Sequence, residues 1–282
     1  MRAERHWRSA LQRSEQALAA GALVPLCTEV LQRPALEPFR LRRLLSRTPK
    51  HLRAGGPKPN PFLPWEPALE VERLGDGHVL LLNKFPVQPG HVLLISRGWQ
   101  PQSGWLSQDD WAAVAAVAAD SGGLWFFNSC AAAGASQPHR HLQLLPRHAD
   151  EGSCPLAPLL RRQLAGAEPR WPWRYALLPR QGAAAAGQPQ QRALELAELY
   201  HRAAAELELG CPAEDPQPRY PYNLLFDDDW FVMVRRQREH AAGFSLNALG
   251  FAGYLLATER SDLAWLEREG PCRLLEAVAT PR

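Results

Sequence analysis

The sequence predicts an α+β fold, an antiparallel sheet flanked by helices with a C-terminal extension, and three observations carry that expectation. Strand-like runs at 69–74, 79–83 and 91–96 follow one another, the last two joined by KFPVQPG, whose Pro-Gly is turn chemistry, so they form an antiparallel meander. Ser107, with Asp110 three positions on and Trp111 after it, is a capping-box start for a helix running to about residue 120. Two further strands, GLWFFN (123–128) and HRHLQLL (139–145), then surround a loop of small residues, and the order strands, helix, strands favours an antiparallel over a doubly wound parallel sheet.

The remaining elements follow in order. Residues 4–19 place Trp7, Leu11 and Leu18 on a helical period, and a second short helix is expected over 24–32. Segment 51–67, HLRAGGPKPNPFLPWEP, is too rich in proline and glycine for a helix or a central strand. Beyond Arg147 the pattern gives a helix at 155–165, a strand at 173–178, a low-complexity surface loop at 181–191 and an amphipathic helix over 192–209. YNLLF and WFVMV, separated by Asp227, Asp228 and Asp229, form a hairpin. GFSLNALGFAGYLLA (243–257) is punctuated by glycine and ends in a strand, and Ser261 caps a last helix. Residues 1–180 are read as the catalytic part and 181–282 as a C-terminal part.

Composition bounds the function. The 282 residues are 46% hydrophobic and 22% charged, which suits a packed globular chain and excludes wholesale disorder. Thirty-two Lys and Arg against 29 Asp and Glu leave a formal charge of +3, too small for a nucleic-acid coat. Only Lys50, Lys58 and Lys84 are lysines. The five cysteines are scattered without a C-x-x-C pair, which argues against a disulfide framework or a cysteine zinc site and fits a reducing cytoplasm. No apolar run approaches a membrane span, and the first residues carry no apolar leader, so a cytoplasmic chain is expected.

The stretch that carries chemistry is NSCAAAGASQPHRHLQLL (128–145). On a strand, the period of two puts His139, His141 and Gln143 on one face and Arg140, Leu142 and Leu144 on the other. Gly134, Ala135 and Ser136 just before them offer backbone N–H groups free of bulk, a nest for phosphate. A neutral imidazole nitrogen is a competent nucleophile toward phosphorus, provided an acceptor anchors the other ring nitrogen and so fixes the tautomer. Gln143 never titrates, so it donates a steady hydrogen bond to phosphate and cannot serve as a general acid, which favours covalent transfer to an acceptor other than water. Two other readings stand beside this one. Histidines at i, i+2 also begin a zinc site, with Cys130 or His148 as further ligands, and histidines are often simply half-buried.

H-x-H-x-Q behind an asparagine and a small-residue loop resembles the transferase branch of the histidine-triad superfamily, where glutamine replaces the third histidine of the hydrolases. More closely, LLNKFPVQPGHVLLISR (81–97), NSCAAAGASQPHRHLQLLP (128–146), YNLLFDDDWFVMV (222–234) and GFSLNALGFAGYLLA together resemble the ATP adenylyltransferase, or diadenosine tetraphosphate phosphorylase, family. The resemblance runs from about Lys58 to Leu256 and implies a histidine-triad-like sheet and a two-step ping-pong reaction. In it His141 attacks the α-phosphorus of diadenosine tetraphosphate, expels ATP and holds AMP, which inorganic phosphate then takes to give ADP. The resemblance further implies that Gln143 contacts the α-phosphate, that Asn128 and loop Gly134, Ala135 and Ser136 hold the polyphosphate, and that His139 orients the site. It also implies a divalent cation such as magnesium, for which no carboxylate cluster in the sequence calls. Ala135 stands where the family pattern has a serine, and Gln137-Pro138 precede the first histidine, two departures from that pattern. A monomer acting on small nucleotides, with neither nucleic acid nor membrane as partner, is expected.

Other segments can be read two ways. Asn83 and Lys84 enter a turn from which the lysine could reach phosphate or simply be solvated. Lys58, Phe62 and Trp65 in PKPNPFLPW could stack on a base or cover the core. Asn247, Gly250 and Gly253 permit close backbone approach to a nucleotide, or mark a bulge or tight turn.

Overall fold

The computed structural model describes residues 2–46, 60–148, 151–181 and 188–282. Its centre is an eight-stranded antiparallel sheet built from β3 (Glu70–Leu74), β4 (His78–Leu82), β5 (Val92–Ser96), β6 (Gly123–Asn128), β7 (His141–Pro146), β8 (Tyr175–Pro179), β9 (Tyr222–Phe226) and β10 (Trp230–Arg235). The spatial order is β3-β4-β5-β7-β6-β9-β10-β8, so the C-terminal hairpin slots between β6 and β8 and one sheet runs through both parts of the sequence. All five residues of β4, β5 and β9 are buried, which is why these runs read as continuous hydrophobics: both faces are covered.

Helices α1 (Arg5–Ala19), α2 (Gln108–Asp120) and α4 (Pro189–Glu206) cover one face. Leu80, Leu94, Leu142, Leu144, Phe127 and Phe226 point into the core beneath them. The Ser107–Asp110 box opens α2 as the sequence predicts, with Ser107 Oγ accepting from Asp110 N and the Asp110 carboxylate accepting from Ser107 N. The α1 face that packs is His6, Ala10 and Ala17, whereas Leu11 and Leu18 are exposed. His6 and Arg5 tie this helix to Asp120.

The other face is covered in two separate places. Over β6, β9, β10 and β8 lie α3 (Ala157–Leu164), the one-turn helix α5 (Ala248–Phe251), α6 (Leu263–Glu269), α7 (Pro271–Glu276) and a small sheet. Over β4 and β5, a smaller cluster of Val79, Leu81, Leu93 and Ile95 packs beneath Phe62 and Trp65. A strip along β7 remains between the two covers, and the polar residues of β7 occupy it.

The small sheet corrects two expectations. Residues 28–31 are strand β1 (Thr28–Leu31), not helix, because they pair with β2 (Arg40–Leu44), which in turn runs parallel to β13 (Tyr254–Ala257). The last helices are capped differently too: Asp262 accepts from Trp265 N at the start of α6, while Ser261 Oγ serves Thr258 N. A two-residue ladder, β11 (His240–Ala241) with β12 (Phe244–Ser245), precedes α5. Of the loop expected over 181–191, residues 182–187 lie outside the described part, and the helix after them begins at Pro189, ahead of the expected 192. Among the described residues no helix is long and apolar enough to cross a membrane.

Candidate active site

Register places the site. His141 is opposite Ile95 and Gln143 is opposite Leu93 on one side and Phe126 on the other, so both polar side chains sit in rows otherwise made of apolar residues. Leu142 and Leu144 point into the helix-covered core, and Arg140 reaches Asp110 on α2, so the alternation expected from the sequence holds.

His141 is 3% exposed. Its Nδ1 lies 2.8 Å from the backbone oxygen of His139, which can only accept, so Nδ1 carries the proton and Nε2 keeps its lone pair. Burial pushes the His141 pKa down to about 4, the bond to the His139 carbonyl offsetting only part of that, so the ring is neutral near pH 7. Phe62 packs against it with ring centroids 5.5 Å apart.

The backbone beneath His141 is held by Gln102, from the loop before α2. Its Oε1 accepts from His141 N at 2.8 Å and its Nε2 donates to Asn128 O at 2.8 Å. The β6–β7 pairing stops at Phe126–Gln143, and this carboxamide bridges the strands where the ladder would continue. Sequence reasoning missed Gln102, since nothing local marks a loop glutamine as an inter-strand wedge.

His139 does not present its ring beside that of His141 as a second reacting group. Its Nε2 is 2.7 Å from Ser96 O and its Nδ1 is 3.0 Å from Asn60 Nδ2. The ring therefore donates to β5 and accepts from the 60–65 loop, between Phe62 and Trp99. The ring thus pins the start of β7 to β5 and to the 60–65 loop, and its carbonyl accepts from His141 Nδ1.

Gln143 is aimed by a chain of hydrogen bonds. Phe85 N donates to Asn83 Oδ1, so the Asn83 amide turns its Nδ2 to His91 Nδ1 at 3.1 Å. That leaves His91 Nε2–H to donate to Gln143 Oε1 at 3.0 Å, and the NH2 of Gln143 to face the strip as a donor. Burial lowers the His91 pKa to about 4, only partly offset by the Gln143 bond, so the chain keeps this polarity near neutral pH. His91 was overlooked in the sequence, although its period of two with Leu93 and Ile95 marks the same face.

At the other end of β7's row, Asn128 Oδ1 accepts from Asn223 Nδ2 and from Ala248 N. Both bonds fall on the oxygen, leaving the Asn128 amide group to donate. Gly134, at φ +85°, meets the loop before α5: a Cβ there would lie 2.7 Å from Leu246 O and from Asn247 Cβ. Asn128, Gly134 and Asn247 thus converge, with Ser136 exposed at the rim, but the nest expected from the sequence is not open at its first two members: Gly134 N donates to Ala131 O and Ala135 N to Cys130 O, closing the turn on itself. Asn247 Oδ1 caps α5 through Leu249 N.

The other expected contacts separate. Gly250 packs tightly against the Leu246 and Leu275 side chains, and Gly253, at φ +97°, lies against Pro155 and Leu156 where a Cβ would collide, so both face the core and Gly253 needs the freedom of glycine in its turn. Lys84 is exposed with its ammonium 6.0 Å from the Phe85 ring centroid, and Lys58 lies outside the described residues. The zinc reading fails on geometry. His148 packs against Trp7 with tilted rings, and no group of three or more His, Cys, Asp or Glu among the described residues is placed to hold a metal ion. Two amides and two imidazoles, with no carboxylate among them, do not form the oxygen-rich donor set of a protein-held magnesium ion.

Together these groups offer one unprotonated imidazole nitrogen between amide donors and a glycine-lined loop, an arrangement suited to attack on phosphorus.

Comparison with known proteins places the fold and the family. Diadenosine 5',5'''-P1,P4-tetraphosphate phosphorylase 2 of Saccharomyces cerevisiae is 27% identical over 214 residues, 67% of this chain, and the matched part spans 65% of the yeast protein's length. Crystal structures of the yeast Ap4A phosphorylase Apa2 share the fold: the complex with Ap4A gives a TM-score of 0.73 at 21% identity, covering 100% of this chain and 99% of that one. The complex with AMP gives 0.73 at 23% identity over the same shares. Residues 169–281 match the ATP adenylyltransferase C-terminal domain. Residues 1–162, more than half of the sequence and the part that holds β7 and its glycine-lined loop, match the Ap4A phosphorylase N-terminal domain, and the chain belongs to that family.

Proposed function

We propose that the protein catalyses phosphorolysis of diadenosine tetraphosphate to ADP and ATP through a covalent AMP-histidine intermediate on His141. The observation that carries this reading is the 2.8 Å contact of His141 Nδ1 with the His139 carbonyl, which leaves Nε2 as the nucleophilic nitrogen. In the first step the Nε2 lone pair forms a bond to the α-phosphorus, and the bond from that phosphorus to the bridging oxygen breaks with its electron pair leaving on ATP. The imidazolium formed keeps its Nδ1 proton against the carbonyl. In the second step an oxygen of inorganic phosphate attacks the phosphorus, the P–N bond breaks, and the pair returns to Nε2, giving ADP. Gln143 and Asn128 donate to phosphate oxygens in both steps, with Gly134, Ala135, Ser136 and Asn247 as the rest of the cradle. That the yeast relative is a phosphorylase of this dinucleotide, and that crystal structures of yeast Ap4A phosphorylase Apa2 hold Ap4A and AMP, supports the choice of substrate. A divalent cation, if used, would be held by the polyphosphate oxygens, and no step here passes through it. The enzyme is read as a cytoplasmic monomer acting on small nucleotides and phosphate.

Product analysis tests the reaction. With phosphate present, ADP and ATP are expected in equal amounts. Without it, ATP release should stop after one equivalent, leaving acid-labile AMP on His141. ATP and AMP as products in the presence of phosphate would identify a hydrolase, and labelling from a UDP-sugar instead would identify a uridylyltransferase.

The acid limb gives a second check. His141 stays unprotonated down to about pH 4, so the first half-reaction, followed as ATP release without phosphate, should lose activity near pH 4 and not near the ordinary histidine value of 6.5. Stability moves over the same range. Below about pH 6.5 the unfolded chain protonates His91 and His141 while the fold excludes those protons. The stability these two rings contribute therefore falls as pH drops from about 6.5 to about 4 and changes no further below that. Folding monitored by fluorescence at each pH separates the two effects, and an activity limb at 6.5 in folded protein would contradict the buried neutral ring.

A further inference from the structure

Arg236 is the unexpected charge of this fold. It is 1% exposed, and its guanidinium donates only to neutral oxygens: Asn223 Oδ1, Val278 O, Arg238 O and Leu246 O. Among the described residues no carboxylate lies within ion-pair distance of it, and Glu239 attracts it only from farther off. A buried cation without a counter-ion is costly, and such groups are normally paired or placed where an anion will come. Burial lowers even this guanidinium's pKa to about 10.

Its partners say which anion. Asn223, which accepts from Arg236, donates in turn to Asn128 Oδ1 and to Ala133 O, the residue before Gly134. Leu246 O, the second acceptor, belongs to the loop that meets Gly134 and leads to Asn247. One guanidinium thus braces both loops of the cradle, through Asn223 on the 128–134 side and through Leu246 O on the side of Asn247. A charge in that low-dielectric position acts strongly over a few ångströms.

We propose that Arg236 is a positioning residue for the polyphosphate of the nucleotide. It is a buried cation that touches no substrate, and its counter-charge arrives with the anion bound at Asn128, loop 134–136 and Asn247. The inference rests on the reading of that cradle given above. It makes recognition depend on substrate charge: ligands with several phosphates gain from Arg236, and uncharged nucleoside gains little.

The test compares the full-length wild type with Arg236→Gln and Arg236→Lys by equilibrium binding of ATP, AMP and adenosine, with thermal unfolding as a check on folding. Arg236→Gln is expected to weaken ATP about tenfold or more, AMP less, and adenosine by under about twofold. Arg236→Lys keeps the charge and loses the fork, so it should recover most of the ATP affinity while remaining less stable than the wild type. Equal losses for ATP and adenosine, or an unchanged ATP affinity, would overturn the proposal, since a purely structural brace moves all ligands alike. Should the Gln variant not fold, inorganic tripolyphosphate decides: it must raise the wild-type unfolding temperature more than adenosine does, and absence of that effect overturns the inference. The outcome is separable from the reaction. A wild type that shows this charge-graded binding but no phosphate-dependent product would remove the phosphorolysis reading and leave Arg236 its role.

Discussion

Replacing His141 with alanine is expected to lower adenylyl transfer by at least about 10⁴-fold while leaving the affinity for ATP within about threefold of the wild type. The two halves of this result come from different atoms. Transfer needs the Nε2 lone pair, and no neighbour can substitute for it: the His139 ring is spent on Ser96 and Asn60, and the His91 ring on Asn83 and Gln143. Binding needs donors that do not hang on the imidazole. Asn128 is set by Asn223 and Ala248, Gln143 is set by His91, and the main chain at position 141 still donates to Gln102. The ring's removal opens a gap beside Phe62, a packing loss that thermal unfolding would register separately from kinetics. Single-turnover ATP release and equilibrium binding on the same preparation check both halves. A variant that turns over normally removes the nucleophile, and one that loses ATP affinity as well shows that the ring shapes the cradle.

The parts of the fold that could be read from sequence are those in which a local pattern and the tertiary environment agree. Strands β4, β5, β9 and β10 are mostly apolar runs bounded by turn residues, and the structure buries every residue of them. Ser107 and Asp110 form a local signal and a local bond. Residues 28–31 failed because their strand state depends on a partner, Arg40–Leu44, whose own sequence RLRRL carries no strand pattern and which is fixed by the distant Tyr254–Ala257. At the site, His141 and Gln143 were visible through the period of two. Gln102, Asn223 and Arg236 were not, since each acts across 13 to 95 residues of sequence by bonds that only the folded loops create. His139 shows the intermediate case: its place in the motif was legible, its job as a pin between Asn60 and Ser96 was not.

Asp110 is expected to be the most sensitive position outside the site, with Asp110→Ala costing about 3–5 kcal/mol of stability. Its carboxylate, 2% exposed, accepts from His78 Nε2 at 2.8 Å, Arg140 Nη1 at 2.9 Å, and the Ser107 N and Oγ that complete the cap of α2. Burial alone would raise its pKa, but the His78 bond and the Arg140 charge outweigh that and hold it below the usual carboxylate range. The stability this supplies is therefore present above the unfolded value near 3.8 and is lost as pH falls through the lower folded value. Deleting the carboxylate strands a buried Arg140 guanidinium, whose remaining acceptor is the Pro101 carbonyl. It also removes the carboxylate half of the α2 capping box, while Ser107 Oγ still accepts from the backbone N of residue 110. A double-mutant cycle isolates the pair: Asp110→Leu with Arg140→Met should be less destabilised than Asp110→Leu alone, because the orphaned charge goes with its partner. Arg140 lies between His139 and His141 on the opposite side of the chain, so its anchorage to α2 fixes the backbone from which both rings project. Urea unfolding of the four proteins measures the cycle, and a double mutant no more stable than the Asp110→Leu single would show that the cost of losing Asp110 is capping and packing, not charge.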